Sequence, residues 1–315
     1  MNICIYHPTM GNIIRQAVTK AYPDANVCII HDITIDPPEL DTIDILVANQ
    51  FPDGLLQRCS QLQWLHLTGT GVDHLRAGRP EPDLIVTNSS TVPAQAVAEF
   101  VWMGLLALAK DAVRLFKQQE QHLWQLPNAR LVSGSHMVLV GLGHIGTEIA
   151  RRAASFNVKV TAITRQAQSS PLVEHVLPSE KLADAVADAD SLILAVPATP
   201  ATYHLVDETV IRALPSTAIL INVARSTVLD TSALVHALQE GRLHGAILDV
   251  HDEEPLSPTS PLWDIDNLLI TPHGAYRFFE EEQEIARLFV HNLTRWLRRE
   301  ELQNSVNLSA LLINM

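Results

Sequence analysis

The chain has 315 residues, a formal net charge of −13, and 47% apolar against 18% charged residues. That length accommodates two domains of ordinary size, each with its own core, and the composition excludes a disordered chain. The acidic balance excludes general nucleic-acid binding, which needs basic surface to displace counterions, yet it permits a local arginine site for a small anion.

Residues 3–6, 27–30, 45–48, 64–67 and 84–86 read as buried strands, with helical patterns near 12–21 and 55–61 between some of them. Such alternation predicts a parallel sheet with helices on its faces. Cys4, Cys28 and Cys59 lack metal-ligand spacing and read as small apolar core residues in a reducing compartment. The opening strand carries no basic segment, so no secretory signal is expected.

From Pro93 to about Lys110 the sequence predicts a long helix with proline in its first turn. Val97, Phe100, Val101, Met103, Leu105 and Leu108 surround most of its circumference, so it needs cover on several sides. Glu99 interrupts this run, which falls short of the roughly 18 apolar residues expected of a membrane span. A cytoplasmic protein without a membrane partner is the expectation.

A second alternating block begins at His136. Its strands are expected at 137–140, 158–163, 191–196, 218–223, 246–249 and 268–270, with helices at 145–156 and 231–240 among the segments between them. Six such strands predict a doubly wound dinucleotide-binding sheet. A charged helix over 280–299 leads to a short tail.

The first strand of this block runs into Gly141-Leu142-Gly143-His144-Ile145-Gly146. The first glycine permits a tight turn, the second lets backbone approach a pyrophosphate, and the third lets helix pack closely on strand. The helix N-terminus adds unpaired N–H groups and the positive end of a dipole. The imidazoles of His144 and His251 receive no chemical role. The next strand ends at Thr164-Arg165, where NAD-preferring proteins usually place a carboxylate for the ribose. An arginine there, with Ser169 and Ser170 beyond, suits the 2′-phosphate of NADP(H), with NAD(H) still admissible.

Downstream come a cation, a carboxylate and an imidazole: Asn222-Val223-Ala224-Arg225, then Asp249 through Glu254-Pro255-Leu256, then Thr271-Pro272-His273-Gly274. His273 follows the last strand of the block, at the sheet edge where ligands bind, and can supply a proton near neutral pH. Glu254, chosen over Asp252 and Glu253 by its place before Pro255, can fix the imidazole tautomer and favour the imidazolium. Arg225 can hold a 2-keto acid by its carboxylate and carbonyl oxygen together. These are the parts of a 2-keto acid reductase, and no metal is required.

In order and flanking residues these motifs resemble the D-isomer-specific 2-hydroxyacid dehydrogenase family, most closely its shorter NADPH-using glyoxylate/hydroxypyruvate reductases. One departure is Ser226, where the family usually has glycine. The resemblance implies an α/β protein of two doubly wound parallel-sheet domains with an active-site cleft between them. Residues 1–92 plus 278–315 would form a flavodoxin-like substrate domain, and 93–277 a Rossmann domain. It further implies that Val196, Pro197, Thr202, Val223, Ala224, Asp249, His273 and Gly274 line the cofactor. The turn at Thr70, Gly71 and Val72 would offer backbone N–H groups to the substrate carboxylate, as an anion nest does. The helix 93–110 would form a homodimer interface. Phe51, Trp124 and Tyr276 read as core or interface aromatics rather than substrate walls. Two rival readings are an oxidoreductase for a different D-2-hydroxy acid, formate or phosphite, and a nicotinamide-sensing corepressor-like interaction protein. The short length and lack of basic surface disfavour formate enzymes and sensors respectively.

Overall fold

A computed structural model describes residues 1–31, 40–72, 75, 80–81, 83–165 and 170–308. The chain divides into two compact units, Met1–Pro93 with Phe278–Met315, and Ala94–Arg277.

The first unit holds β1 (Asn2–Tyr6), α1 (Gly11–Ala21), β2 (Asn26–Ile30), β3 (Ile45–Ala48), the single turn α2 (Leu55–Arg58), β4 (Trp64–Leu67) and β5 (Ile85–Asn88). The strands are parallel in the order β2-β1-β3-β4-β5. That is the flavodoxin-like order, with its switch point between β1 and β3. Successive side chains of a strand point to opposite faces. Accordingly Cys4, Leu46 and Leu65 enter one core layer, while Ile3, Ile5, Ile45, Val47 and Trp64 enter the other. The C-terminal helix Glu281–Leu297 covers the second layer through Ile285, Phe289 and Leu293. Each such fully buried side chain contributes about 1.5–3 kcal/mol. Cys4 and Cys59 are buried, as their apolar reading requires, and Cys28 is half-buried.

The second unit continues with α3 (Ala94–Ala109), α4 (Ala112–Glu120), β6 (His136–Val140), α5 (His144–Ala153), β7 (Lys159–Ile163), β8 (His175–Leu177), α6 (Leu182–Ala185), β9 (Ser191–Leu194), α7 (Glu208–Ala213), β10 (Ile219–Asn222), α8 (Thr231–Gln239), β11 (Gly245–Leu248) and β12 (Leu268–Ile270). All strands run parallel in the order β12-β11-β10-β9-β6-β7-β8. This sheet has seven strands rather than the six expected. The extra one, β8, is a three-residue edge strand ended by Pro178, too short to show a period. One face packs on α3 and α5, with Val101, Leu105, Met137, Leu139 and Ile149 in the layer. The other packs on α6, α7 and α8, with Val138, Val140, Leu192, Leu220 and Leu234. Among the described residues no helix is long and apolar enough to cross a membrane.

One buried polar chain anchors the first unit beside its candidate anion turn. Thr87 Oγ1 accepts from Trp64 Nε1 at 2.8 Å and lies 2.8 Å from His66 Nδ1. His66 Nε2–H then donates to Ser89 Oγ at 3.3 Å, and that hydroxyl donates to the Leu67 carbonyl at 3.2 Å. Burial pushes the His66 imidazole down to about 3, so it stays neutral in the folded chain. An unfolded histidine takes up a proton below about pH 6.5, so this residue contributes stability that declines as pH falls from 6.5 towards 3. The slope is about 1.4 kcal/mol per pH unit. Urea unfolding at pH 7.5 and 5.5 should therefore show a larger loss in wild type than in His66→Asn. Equal losses would contradict the buried neutral imidazole.

Candidate active site

Register brings the functional segments of the second unit to one line. Ile163 pairs with Val140, Val140 with Leu194, Leu194 with Asn222, Asn222 with Leu248, and Leu248 with Ile270. The residues that follow this row are Thr164, Gly141, Ala195, Val223, Asp249 and Thr271. Parallel strands place all six at the carboxyl edge of the sheet, where doubly wound folds bind ligands.

The three glycines of the loop after β6 serve different needs. Gly141 has φ +100°, and a Cβ there would stand 2.4 Å from the Ala195 carbonyl oxygen. A Cβ at Gly146 would stand 2.0 Å from the Gly141 carbonyl oxygen, so α5 can seat against β6 only with glycine. Gly143 is different: it has an ordinary extended backbone, and its Cβ would meet nothing within 4 Å. Among the described residues no contact calls for glycine there. The open side of the loop, next to the N-terminus of α5, fits a pyrophosphate that must approach the backbone. Arg165 is exposed just beyond β7. Ser169 lies outside the described residues. The loop from Pro197 is fixed by Thr202, whose hydroxyl donates to the Pro197 carbonyl at 2.8 Å and accepts from the Thr199 N–H at 2.8 Å.

His273 takes φ +50°, a left-handed conformation uncommon for a side-chain-bearing residue. Asp249 holds it there. Its Oδ1 accepts from the Thr271 hydroxyl at 2.8 Å and the Gly274 N–H at 2.8 Å, and its Oδ2 accepts from the Ala275 N–H at 3.0 Å. The Asp249 carboxylate is thus buried and committed to the turn that carries His273. His273 Nδ1–H donates to Glu254 Oε2 at 2.8 Å, while Glu254 Oε1 accepts from the His251 N–H at 2.9 Å. A carboxylate can only accept, so in the neutral imidazole Nε2 is left unprotonated. Desolvation pushes the Glu254 carboxyl up, but the hydrogen bonds from His273 and from the His251 backbone outweigh it and hold the group below its ordinary range.

Arg225 follows β10 by a turn that Asn222 organises. The buried Asn222 side chain accepts from the Ala224 N–H and donates to the Arg225 carbonyl, both at 3.0 Å. Arg225 Nη1 donates to the Ala224 carbonyl at 2.7 Å. Ser226 opens a 3₁₀ turn, Ser226–Val228, and takes no positive φ, so serine fits where the family usually has glycine. Asp230 caps α8 by accepting from the Ala233 N–H at 3.0 Å.

The family model for the NAD-binding domain of D-isomer specific 2-hydroxyacid dehydrogenases matches residues 102–275. The chain belongs to the D-isomer specific 2-hydroxyacid dehydrogenase family. It is 34% identical over 283 residues to a glyoxylate reductase of Thermofilum pendens, covering 86% of this chain and 82% of that one. A glyoxylate reductase of Pyrococcus horikoshii is 32% identical over 281 residues, covering 85% and 83%. A D-isomer specific 2-hydroxyacid dehydrogenase from Xanthobacter autotrophicus Py2, solved in complex with NADPH and MES, superposes with a TM-score of 0.86 at 28% identity, covering 96% and 97%. The chain is therefore an NAD(P)-dependent oxidoreductase that reduces a 2-keto acid to its 2-hydroxy acid.

In this dehydrogenase the turn after β4 belongs to the first unit. Gly69 O accepts from the Ser89 N–H at 3.1 Å, and Thr70 O accepts from Asn88 Nδ2 at 2.9 Å. Among the described residues, none accepts from the backbone N–H of Thr70, Gly71 or Val72. The Gly69 and Thr70 carbonyls are thus tied into the first unit. Trp124 is fully exposed and Tyr276 stands edge-on to the His273 ring at 6.2 Å, so neither is a core aromatic; Phe51 is half-buried. The sequence motifs contain Asn222 and Thr271 and His251 is named beside them, but sequence alone gives none of the three a role. Their roles lie in the bonds of Asn222 to Ala224 and Arg225, of Thr271 to Asp249, and of His251 to Thr271.

The glycine geometry separates stability from binding. Gly146→Ala should lower the melting temperature of the nucleotide-free protein by several degrees, because about 1–3 kcal/mol of overpacking has nowhere to relax. Gly143→Ala should melt like wild type yet lose the upward shift that NADPH or NADH gives. An unchanged nucleotide shift in Gly143→Ala would contradict a pyrophosphate at this loop.

Proposed function

We propose that this dehydrogenase reduces glyoxylate and hydroxypyruvate, with NADPH preferred over NADH. The observation that carries the reading is the hydrogen-bonded pair Glu254–His273, on the same sheet edge as Arg225 and the glycine loop. The small substrate is supported by the glyoxylate reductases of similar length, and NADPH by the nucleotide in the Xanthobacter relative. Residues 1–92 plus 278–315 serve the substrate, and 93–277 the cofactor.

In this reading Gly141, Gly143, His144, Ile145 and Gly146 hold the pyrophosphate, with the α5 N-terminus adding backbone donors. Thr164 and Arg165 receive the adenosine ribose and its 2′-phosphate. Val196, Pro197, Thr202, Val223, Ala224 and Gly274 line the nicotinamide side, and Asp249 acts there by shaping the 271–275 turn. When bound, the reduced nucleotide supplies the hydride. Arg225 holds the substrate carboxylate, so orientation contributes to the rate, and the N–H groups of Thr70, Gly71 and Val72 serve the first unit as an anion nest. His273, protonated at Nε2 and held at Nδ1 by Glu254, donates the proton to the substrate oxygen.

The enzyme works as a cytoplasmic homodimer. The buried thiols of Cys4 and Cys59 suit a reducing compartment. In α3, Val97, Val101, Leu105 and Leu108 are buried within their own unit, whereas Met103 is exposed. The adjoining segment also exposes Phe116, Leu123, Trp124, Leu126 and Leu131, an apolar surface unusual for a monomer. A second copy covers it together with α3. Light scattering should report twice the 34.8 kDa chain mass. A mass of one chain at micromolar concentration would contradict this.

The functional test is NADPH and NADH oxidation with glyoxylate, hydroxypyruvate and pyruvate, in wild type and Arg165→Asp. Wild type should prefer NADPH, and the variant should lose about ten- to a hundredfold of the NADPH/NADH ratio of kcat/KM. An unchanged ratio would remove Arg165 from the site. Nucleotide binding without turnover of any of the three acids would overturn the substrate assignment.

A further inference from the structure

His251 is a buried imidazole next to the Glu254–His273 pair, and its two ring nitrogens are treated very differently. Nε2 lies 2.9 Å from the Thr271 carbonyl oxygen. Because a carbonyl only accepts, the proton is on Nε2 in the neutral ring. Nδ1 is buried and has no hydrogen-bond partner among the described residues. A buried nitrogen without a partner is costly. An apolar ring would fill the same space without that cost, so the reason for an imidazole is its single bond to Thr271.

That bond closes a ring. The His251 backbone N–H donates to Glu254 Oε1 at 2.9 Å, and Glu254 Oε2 accepts from His273 Nδ1 at 2.8 Å. The His273 backbone N–H donates to the Thr271 carbonyl at 3.1 Å, and the same carbonyl accepts from His251 Nε2. Four hydrogen bonds therefore run from His251 through Glu254, His273 and Thr271 and return to His251. Without the Nε2 bond, the loop that follows β11 and the turn that follows β12 remain joined by the Glu254–His273 contact and by Asp249. Asp249 fixes the turn backbone but touches neither side chain of the pair in the bonds described. His251 bonds both the Glu254 carboxylate and the backbone carbonyl of the turn on which His273 stands.

We propose that His251 is a positioning residue of the reductase, locking Glu254 against His273 by bridging the two loops that carry them. The inference rests on the reading of Glu254 and His273 as the proton-donating pair. The titratable groups around His251 are Asp249, Asp252, Glu253 and Glu254 on its own loop, and His273 on the facing turn.

The test compares His251→Phe, His251→Gln and His273→Ala in NADPH-dependent glyoxylate reduction, each with a thermal melt and a full pH profile. His251→Phe keeps the ring and loses the donor. It should lower kcat about three- to tenfold, as loss of one hydrogen bond predicts, leave KM for glyoxylate nearly unchanged, and move the alkaline limb of kcat to lower pH. His251→Gln places an amide N–H near the position of Nε2 and should restore both the rate and the profile. A wild-type profile in His251→Phe overturns the inference. So does a fall in kcat that tracks the melting temperature and is not restored by glutamine. Wild-type turnover in His273→Ala overturns instead the underlying assignment of the pair, a result distinguishable from either of the others.

Discussion

Every functional feature of the second unit depends on one constraint: a wholly parallel sheet whose strands end in register. The backbone ladder from Ile163 through Val140, Leu194, Asn222 and Leu248 to Ile270 places the start of each following loop along a single edge. Residues more than a hundred positions apart, such as Gly141 and His273, thereby share an edge. The ladder costs the sequence little, since near-continuous runs of valine, isoleucine and leucine are what a sheet buried on both faces requires. Chemistry is confined to the residues after the runs.

Those residues are held by polar groups that the core cannot supply. Asn222 ties the turn before Arg225, Asp249 ties the turn that carries His273, and Glu254 receives two donors from different loops. Each anchor uses a side chain at the end of one strand to fix backbone after the same or the neighbouring strand. The left-handed backbone of His273 shows why this is needed, because a non-glycine residue persists there only when its surroundings over-determine it. A carboxylate that accepts several N–H bonds is a strong local constraint, and Asp249 provides it within a buried setting.

Much of this was legible before any coordinates. Continuous apolar runs announced the strands, and the Gly141–Gly146 spacing announced the turn into α5, because both follow from backbone sterics that local sequence reports directly. β8 escaped because three residues at a sheet edge carry no period. α4 is not marked by the sequence reading although Ala112, Leu115 and Phe116 stand at the spacing of an apolar helical stripe. The anchors escaped for a different reason. Thr271 and His251 act through bonds between loops twenty to twenty-two residues apart in sequence, and no local pattern encodes such a partner; Asn222 bonds only to Ala224 and Arg225, within the turn it begins. The family resemblance puts Asp249 beside the cofactor, and the bonds to Gly274 and Ala275 show which turn it holds.

In the proposed mechanism His273 delivers the proton while the nucleotide site stands independently of it. The most direct measurement is a stopped-flow single turnover of the NADPH complex with glyoxylate, followed at 340 nm in wild type and His273→Ala, with NADPH affinity measured on the same samples. The account predicts nearly equal NADPH affinity and a single-turnover rate lower by about 10²–10⁴-fold in the variant. Oxidation of NADPH by His273→Ala at the wild-type rate would contradict it.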